Sequence, residues 1–284
     1  MSFIQNSAAA NELTAAELYL DLLKKCLTRS IFGEQFRPLP RDHKDLFVKT
    51  AGKWLASKKL QIVRSAEFDP AARAEGIDWP VEGETMIGLR RLQNLQDCII
   101  DVLRNHVQGD LIETGVWRGG ATIFMRAVLK VFGDQERIVW VADSFAGLPP
   151  PQPDVYPADK GANFHLSNDV LGVSLDEVKA NFARYGLLDD RVRFLKGWFK
   201  DTLPSAPIER LAVLRLDGDL YESTMSALEC LYPKLSIGGY VIIDDYSPSV
   251  PCCVQAVDDF RARHHVSEEI VSTGQYGVFW KRLR

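Results

Sequence analysis

The chain has 284 residues, of which 46% are hydrophobic and 25% charged, with a formal net charge of -4; this supports one large α/β domain with appendages and excludes wholesale disorder. Lys and Arg are scattered among Asp and Glu, so the basic footprint that a nucleic-acid partner needs is missing. The N-terminus lacks a basic start followed by a long apolar run, and nowhere do ~18–20 apolar residues follow one another, so neither a secretory leader nor a membrane span is predicted and the cytoplasm is the expected address.

Residues 1 to about 108 read as a helical appendage. Leu13, Leu18, Leu22, Leu23 and Leu27 fall on one side of a first helix, and Leu89, Leu92, Leu95, Ile99 and Leu103 on one side of another. Between them, from Phe32 to about Asp78, the sequence is polar and reads as irregular. The five cysteines are odd in number and include no CxxC pair. They are read as reduced thiols without a role, the adjacent Cys252 and Cys253 included.

From about residue 109 to 284 short apolar strands alternate with helical segments, the pattern of a mainly parallel sheet covered on both faces. Strands are predicted at 111–113, 138–143, 192–196, 212–217, 240–244, 269–271 and 278–281, with helices at 121–132, 174–185, 223–231 and 255–264. The turn Ser272-Thr273-Gly274-Gln275 makes the last two strands antiparallel. The segment from Pro149 to Gly172 fits neither element and is too long for an ordinary connection, so it reads as a cover over the site.

Ligands of open parallel sheets bind beyond the carboxyl ends of the strands. The first strand ends in Glu113-Thr-Gly115-Val-Trp117-Arg118-Gly119-Gly120. Its glycines permit a tight turn and close approach of a ligand, while Glu113 offers negative charge to an ammonium group. No Lys followed by Ser or Thr is present to hold a polyphosphate. The second strand delivers Asp143 and Ser144, an acid position that binds ribose hydroxyls in NAD and S-adenosylmethionine enzymes alike. Gly197 and Trp198 end the third strand and are candidates to frame an adenine.

The fourth strand ends in Leu216-Asp217-Gly218-Asp219-Leu220-Tyr221 and the fifth in Ile243-Asp244-Asp245-Tyr246. Neighbouring parallel strands lie ~4.8 Å apart, so four carboxylates would crowd one sheet edge, repelling each other unless a cation sits among them. Oxygen-only donors favour a hard ion such as Mg²⁺. The competing account, in which each Asp caps a following helix, suits one acid per strand end better than two. If strand geometry persists, Asp217 and Asp219 point to the same side. One would then bind metal and the other, Asp219, take the proton of an acceptor hydroxyl.

The runs Glu113 to Gly120, Asp143-Ser-Phe-Ala-Gly-Leu-Pro149, Asn181-Phe-Ala-Arg-Tyr-Gly-Leu-Leu-Asp-Asp190, Gly197-Trp-Phe-Lys-Asp-Thr-Leu-Pro204, Leu216 to Tyr221 and Gly238-Gly-Tyr-Val-Ile-Ile-Asp-Asp-Tyr246 together resemble the macrocin O-methyltransferase family. The resemblance runs from Thr85-Met86-Ile87-Gly88 to the C-terminus. It implies a class I methyltransferase fold, Rossmann-like with a seven-stranded sheet, acting on a hydroxyl of a deoxysugar carried by a glycosylated natural product. S-adenosyl-L-methionine is the implied donor and Mg²⁺ the implied ion. By the same resemblance, Glu113 and Gly115 hold the methionine part, Asp143 and Ser144 the ribose, and Gly197 and Trp198 the adenine side. Thr85, Met86 and Ile87 line the cofactor entrance, Asp217, Asp244 and Asp245 bind metal, Asp219 is the base, and the working unit is a homodimer. Residues 33 to 60 and the cover depart from shorter members, which leaves the sugar unidentified. A metal-dependent catechol or phenol O-methyltransferase and a non-catalytic nucleotide-binding protein are the alternatives; an NAD dehydrogenase lacks a hydride-transfer acid near the carboxylates.

Overall fold

Apolar residues at alternate positions build the centre of the molecule. Leu111, Val139, Val141, Val213 and Ile242 join one buried cluster, and their strand neighbours Ile112, Trp140, Ala142, Leu214, Val241 and Ile243 join another. A strand whose successive side chains both enter a core must be covered on both faces.

A computed structural model describes residues 13–34, 36–39 and 44–284. In chain order it contains α1 (Ala15–Leu27), β1 (Phe36–Pro38), α2 (Leu46–Ser57), β2 (Val63–Ser65), α3 (Pro70–Glu75), α4 (Gly88–Arg104), β3 (Asp110–Thr114), α5 (Gly120–Val131) and β4 (Val139–Asp143). There follow α6 (Asn168–Leu171), α7 (Leu175–Arg184), β5 (Val192–Lys196), α8 (Phe199–Thr202), β6 (Leu211–Leu216), α9 (Tyr221–Leu231), β7 (Leu235–Ile243), α10 (Pro251–Arg263), β8 (Val271–Ser272) and β9 (Val278–Lys281). The main sheet has the order β5-β4-β3-β6-β7-β9-β8. Its first five strands are parallel, and β9 pairs antiparallel with β7 and β8. This is the expected seven-stranded, mainly parallel sheet ending in a hairpin. Residues from α4, α5 and α7 pack on one face, and those from α9 and α10 on the other.

The N-terminal region is more ordered than its polar sequence suggests. The stretch read as irregular holds α2, α3 and the antiparallel pair β1–β2. Asp45 and Asp69 start these two helices by accepting backbone N–H groups of the first turn. Helix α2 has no fully buried residue; Val48, Ala51, Gly52 and Leu55 form a half-buried side at helical spacing. In α1 the buried stripe is Leu20, Leu23 and Leu27, whereas Leu13, Leu18 and Leu22 face outward at 54–56% exposure. The expectation that all five leucines lie on one side is therefore corrected: Leu23 and Leu27 join Leu20 inside, while Leu18 and Leu22, four apart, share an outer face. The N-terminal run read as lacking a leader lies, through residue 12, outside the described residues. No helix among them is long and apolar enough to cross a membrane.

The segment between β4 and α7 is not featureless either. It carries two 3₁₀ turns, Pro157–Asp159 and Phe164–Ser167, before α6. Its short turns lack the repeated apolar spacing that sequence patterns detect.

Candidate active site

The strand order β5-β4-β3-β6-β7 switches between β3 and β6 from one half of the sheet to the other, and a cavity of about 660 Å³ opens beyond the carboxyl ends of these parallel strands. Thr85, Met86, Ile87, Glu113, Gly115, Asp143, Ser144, Trp198, Asp217, Asp219, Asp244 and Asp245 all line it. Gly197 does not line it; its N–H donates to the carbonyl of Asp143 at 2.9 Å and fastens β5 to β4. The cover contributes wall residues on the far side, among them Pro149, Gln152, Phe164 and Leu171.

Register dictates which acids meet. Glu113 pairs with Arg215 across β3 and β6, and Arg215 with Ile242 across β6 and β7. Period two then carries Asp244, two residues beyond Ile242, onto the same face. The buried Arg215 guanidinium donates to Glu113, to Asp217 at 2.9 Å and to Asp244 Oδ1. Arg91 of α4 takes the other oxygen of Asp244, and also donates to the carbonyls of Ile87 at 2.8 Å and Gly76 at 3.1 Å. Its guanidinium lies 5.8 Å from the ring centre of Tyr276, another wall residue.

The sequence reading treated the acids as lacking compensation, and here it is corrected. Two guanidinium groups stand among them. Five carboxylates (Glu113, Asp217, Asp219, Asp244 and Asp245) still outnumber these two guanidinium groups. The surplus is visible in proton affinity. Burial, reinforced by Asp217 and Asp244, raises Glu113 to about 8 despite Arg215. Burial and the same two neighbours raise Asp219 to about 7. Burial raises Asp217 and Asp245 as well, with other acids of the group adding to it.

Asp217, Asp244 and Asp245 each present a carboxylate oxygen within 4.8 Å of the others. Such an all-oxygen, net-negative group fits a hard divalent cation, because each oxygen that accepts from Arg91 or Arg215 keeps a second lone pair. Asp219 stands apart from this trio. Strand β6 ends at Leu216, and Asp219 has φ 57°, so the expectation that Asp217 and Asp219 share a side by strand alternation is corrected. A tight turn carries Asp219 to the cavity instead. Its N–H donates to Asp245 Oδ2 at 3.2 Å, and the Cys252 thiol donates to its carbonyl at 3.2 Å.

On the donor side, Asp143 accepts the N–H groups of Val116 and Phe145, both at 2.8 Å. Ser144 bridges to the Gly147 carbonyl at 2.7 Å. One oxygen of Glu113, Oε2, is buried with no hydrogen-bond partner among the described residues. An orphaned acceptor on a cavity wall suits an incoming ammonium. The glycines have a further reason beside the tight turn inferred from sequence, which the left-handed Gly115 and Gly119 make. A Cβ on Gly115, at φ 87°, would strike the Asp217 carbonyl, and one on Gly120 would lie 2.5 Å from the Glu84 carbonyl. Chain meets chain at both positions, and Gly115 also lines the cavity.

Sequence reasoning passed over Arg91, Arg215, Tyr276 and Asp159. Arg215 alone left a signal: a cation at an inward position between Leu214 and Leu216 of a buried strand. The rest act through contacts between distant parts of the chain.

Comparison with known proteins places the fold and the family. The family model Macrocin-O-methyltransferase (TylF) matches residues 16–282. The 8-demethyl-8-(2,3-dimethoxy-alpha-L-rhamnosyl)-tetracenomycin-C 4'-O-methyltransferase of Streptomyces olivaceus is 52% identical over 267 residues, covering 94% of this chain and 93% of that protein. The demethyldecarbamoylnovobiocin O-methyltransferase of Streptomyces niveus is 46% identical over 269 residues, covering 95% of each. The solved structure of the O-methyltransferase NovP has a TM-score of 0.82 at 46% identity, covering 95% of this chain and 100% of that one. The calicheamicin methyltransferase CalS11, at 18% identity and a TM-score of 0.55 over 84% of this chain and 94% of that one, shares the fold.

Proposed function

Because the chain belongs to the macrocin-O-methyltransferase family, and is an O-methyltransferase, we propose that it transfers a methyl group from S-adenosyl-L-methionine to a sugar hydroxyl of a glycosylated natural product, with Mg²⁺ as its resident ion. The relatives' names support this acceptor class, since one acts on a rhamnosylated tetracenomycin. The observation that carries the reading is the carboxylate trio lining a cavity that Glu113, with one oxygen free of hydrogen-bond partners among the described residues, lines beside it.

Glu113 receives the donor's ammonium and Asp143 its ribose hydroxyls, while Trp198, Thr85, Met86 and Ile87 border the remainder. Asp217, Asp244 and Asp245 would hold the ion, which supplies positive charge that orients the acceptor oxygen and makes its proton more acidic. Arg215 donates to two of these carboxylates, and Arg91 to the other oxygen of Asp244. The acceptor oxygen attacks the methyl carbon in line. Its new C–O bond forms as the C–S bond breaks, and the sulfur keeps that electron pair and leaves neutral. Asp219 takes the proton at its carboxylate. An alcohol needs such a base because it holds its proton tightly at neutral pH.

Residues 1–108 serve acceptor and subunit contacts in this reading, with 109–284 as the donor-binding core. The exposed Leu18, Leu22, Phe36, Phe47 and Trp54 suit a homodimer contact, testable by light scattering. The cytoplasm is the proposed site of action. The direct test is incubation with labelled methyl donor, Mg²⁺ and a panel of rhamnosylated and other deoxysugar-bearing acceptors; no label on any sugar, with label on a phenolic acceptor, overturns the acceptor assignment.

A further inference from the structure

The turn that carries Asp219 is held in place by the cover. Helix α9 starts immediately beyond that turn, and its own N-cap residue, Leu220, has no side chain able to accept a hydrogen bond. The first N–H groups of a helix need such acceptors. Here they come from 62 residues away: Tyr221 N–H donates to Asp159 Oδ1 at 2.7 Å, and Glu222 N–H to Asp159 Oδ2 at 3.3 Å. Asp159 is 1% exposed although it lies in a connecting segment. The rings of Tyr156 and Tyr221, 6.1 Å apart, add a second contact at the same junction.

The cover has other attachments, and they lie on the donor side. Asn168 exchanges two hydrogen bonds with the backbone of Leu148, both at 2.8 Å, and Trp117 Nε1 donates to the Val170 carbonyl at 2.9 Å. Asp159 is thus the cover's polar link to the acceptor side. The Asp219 turn needs such a link, since a left-handed non-glycine residue is kept only where its surroundings fix it. Asp245 and Cys252 hold the turn at Asp219 itself, and Asp159 holds it two residues further on.

We propose that Asp159 is a positioning residue, whose carboxylate completes the N-terminus of α9 and so couples the seating of the cover to the position of the Asp219 carboxylate. The consequence for catalysis rests on the reading of Asp219 as the base; the coupling itself does not. A base displaced by about an ångström loses roughly 10- to 100-fold in rate, while the donor pocket beyond Asn168 and Trp117 keeps its shape.

Hydrogen exchange of the free enzyme followed by steady-state kinetics tests this in Asp159→Ala, Asp159→Glu and Asp159→Asn, with Asn168→Ala as the comparison. In Asp159→Ala the Tyr221 and Glu222 amides should exchange at least ~10-fold faster, kcat should fall roughly 10- to 100-fold, and the donor KM should stay within about threefold. Asp159→Asn, which retains an acceptor oxygen, should recover most of the turnover. Asn168→Ala should do the opposite, raising the donor KM and leaving exchange at Tyr221 unchanged. If the Ala variant does not fold, Asp159→Glu decides, because its longer arm cannot meet both amides. Wild-type exchange in the variant that folds, or lost exchange protection with full kcat, overturns the proposal. Exchange needs no acceptor, so wild-type enzyme that methylates nothing would refute the proposed function and leave the coupling separately judged.

Discussion

A Cβ on Gly115 would lie 1.7 Å from the carbonyl oxygen of Asp217. The donor turn after β3 and the carboxylate turn after β6 are therefore in backbone contact, and neither can shift alone. Gly115→Ala adds a clash to a left-handed backbone at φ 87° and is expected to cost roughly 2–4 kcal/mol. It should also abolish binding of S-adenosylhomocysteine. Urea unfolding and calorimetry check both; undiminished binding would show that the two turns move independently.

Asp219→Asn keeps the size and the turn but removes the proton acceptor. Turnover on a sugar hydroxyl should fall roughly 10²- to 10⁴-fold, with product affinity within about threefold of wild type. A variant that still methylates sugars at full rate would rule Asp219 out as the base. Full rate on a phenol alone would point to an acceptor that ionises without help.

Proton and metal should compete in this site. Glu113, at about 8, and Asp219, at about 7, hold protons more tightly when folded than ordinary carboxylates do unfolded. The folded state thus binds more protons between about pH 4 and pH 8, and ion-free protein should lose stability as pH rises through that window. Mg²⁺ should restore it, and the rise in melting temperature it causes should be greater at about pH 8 than at about pH 6. Chelation should stop turnover and Mg²⁺ revive it. A melting shift that is equal at the two pH values, or activity that survives chelation, contradicts the assignment.

Arg215→Met removes the cation that Glu113, Asp217 and Asp244 share in the sheet. Since the Arg215 side chain is only 1% exposed, the loss is expected to reach about 3–5 kcal/mol in chemical denaturation. Mg²⁺ should recover part of this, since it supplies charge to the same acids. A loss below about 1 kcal/mol, the range of surface pairs, would mean that the acids are otherwise compensated.

The sheet was legible because each central strand is a short apolar run with an acid or glycine at its carboxyl end, and those features are local. Asp217, Asp244 and Asp245 could be grouped from strand adjacency alone. Their partners could not. Arg91 and Asp244 are 153 residues apart, and Arg91 sits on a helix whose amphipathic pattern predicts only a boundary position. Asp159 was hidden for the same reason, inside a segment with no periodicity. Helix α2 went unread although Val48, Ala51 and Leu55 share one half-buried side at helical spacing, because the polar residues around it and the exposed Leu46, Phe47 and Trp54 blur that stripe. Alternation failed at Asp219 since the strand had already ended, and only the backbone angle reveals it.

The partnership of Glu113 with Arg215 spans 102 residues of chain at the middle of the sheet. At the ~5–20 residues per second of ribosomal synthesis, β3 waits roughly 5–20 s with one edge bare before β6 emerges. Throughout that interval Glu113 has no guanidinium beside it and stays hydrated, so the half containing β3 cannot close its interior. The nascent chain must finish its second half before the first can become dry, and a pause in translation between residues 143 and 211 prolongs the time during which an unpaired strand edge is open to other chains.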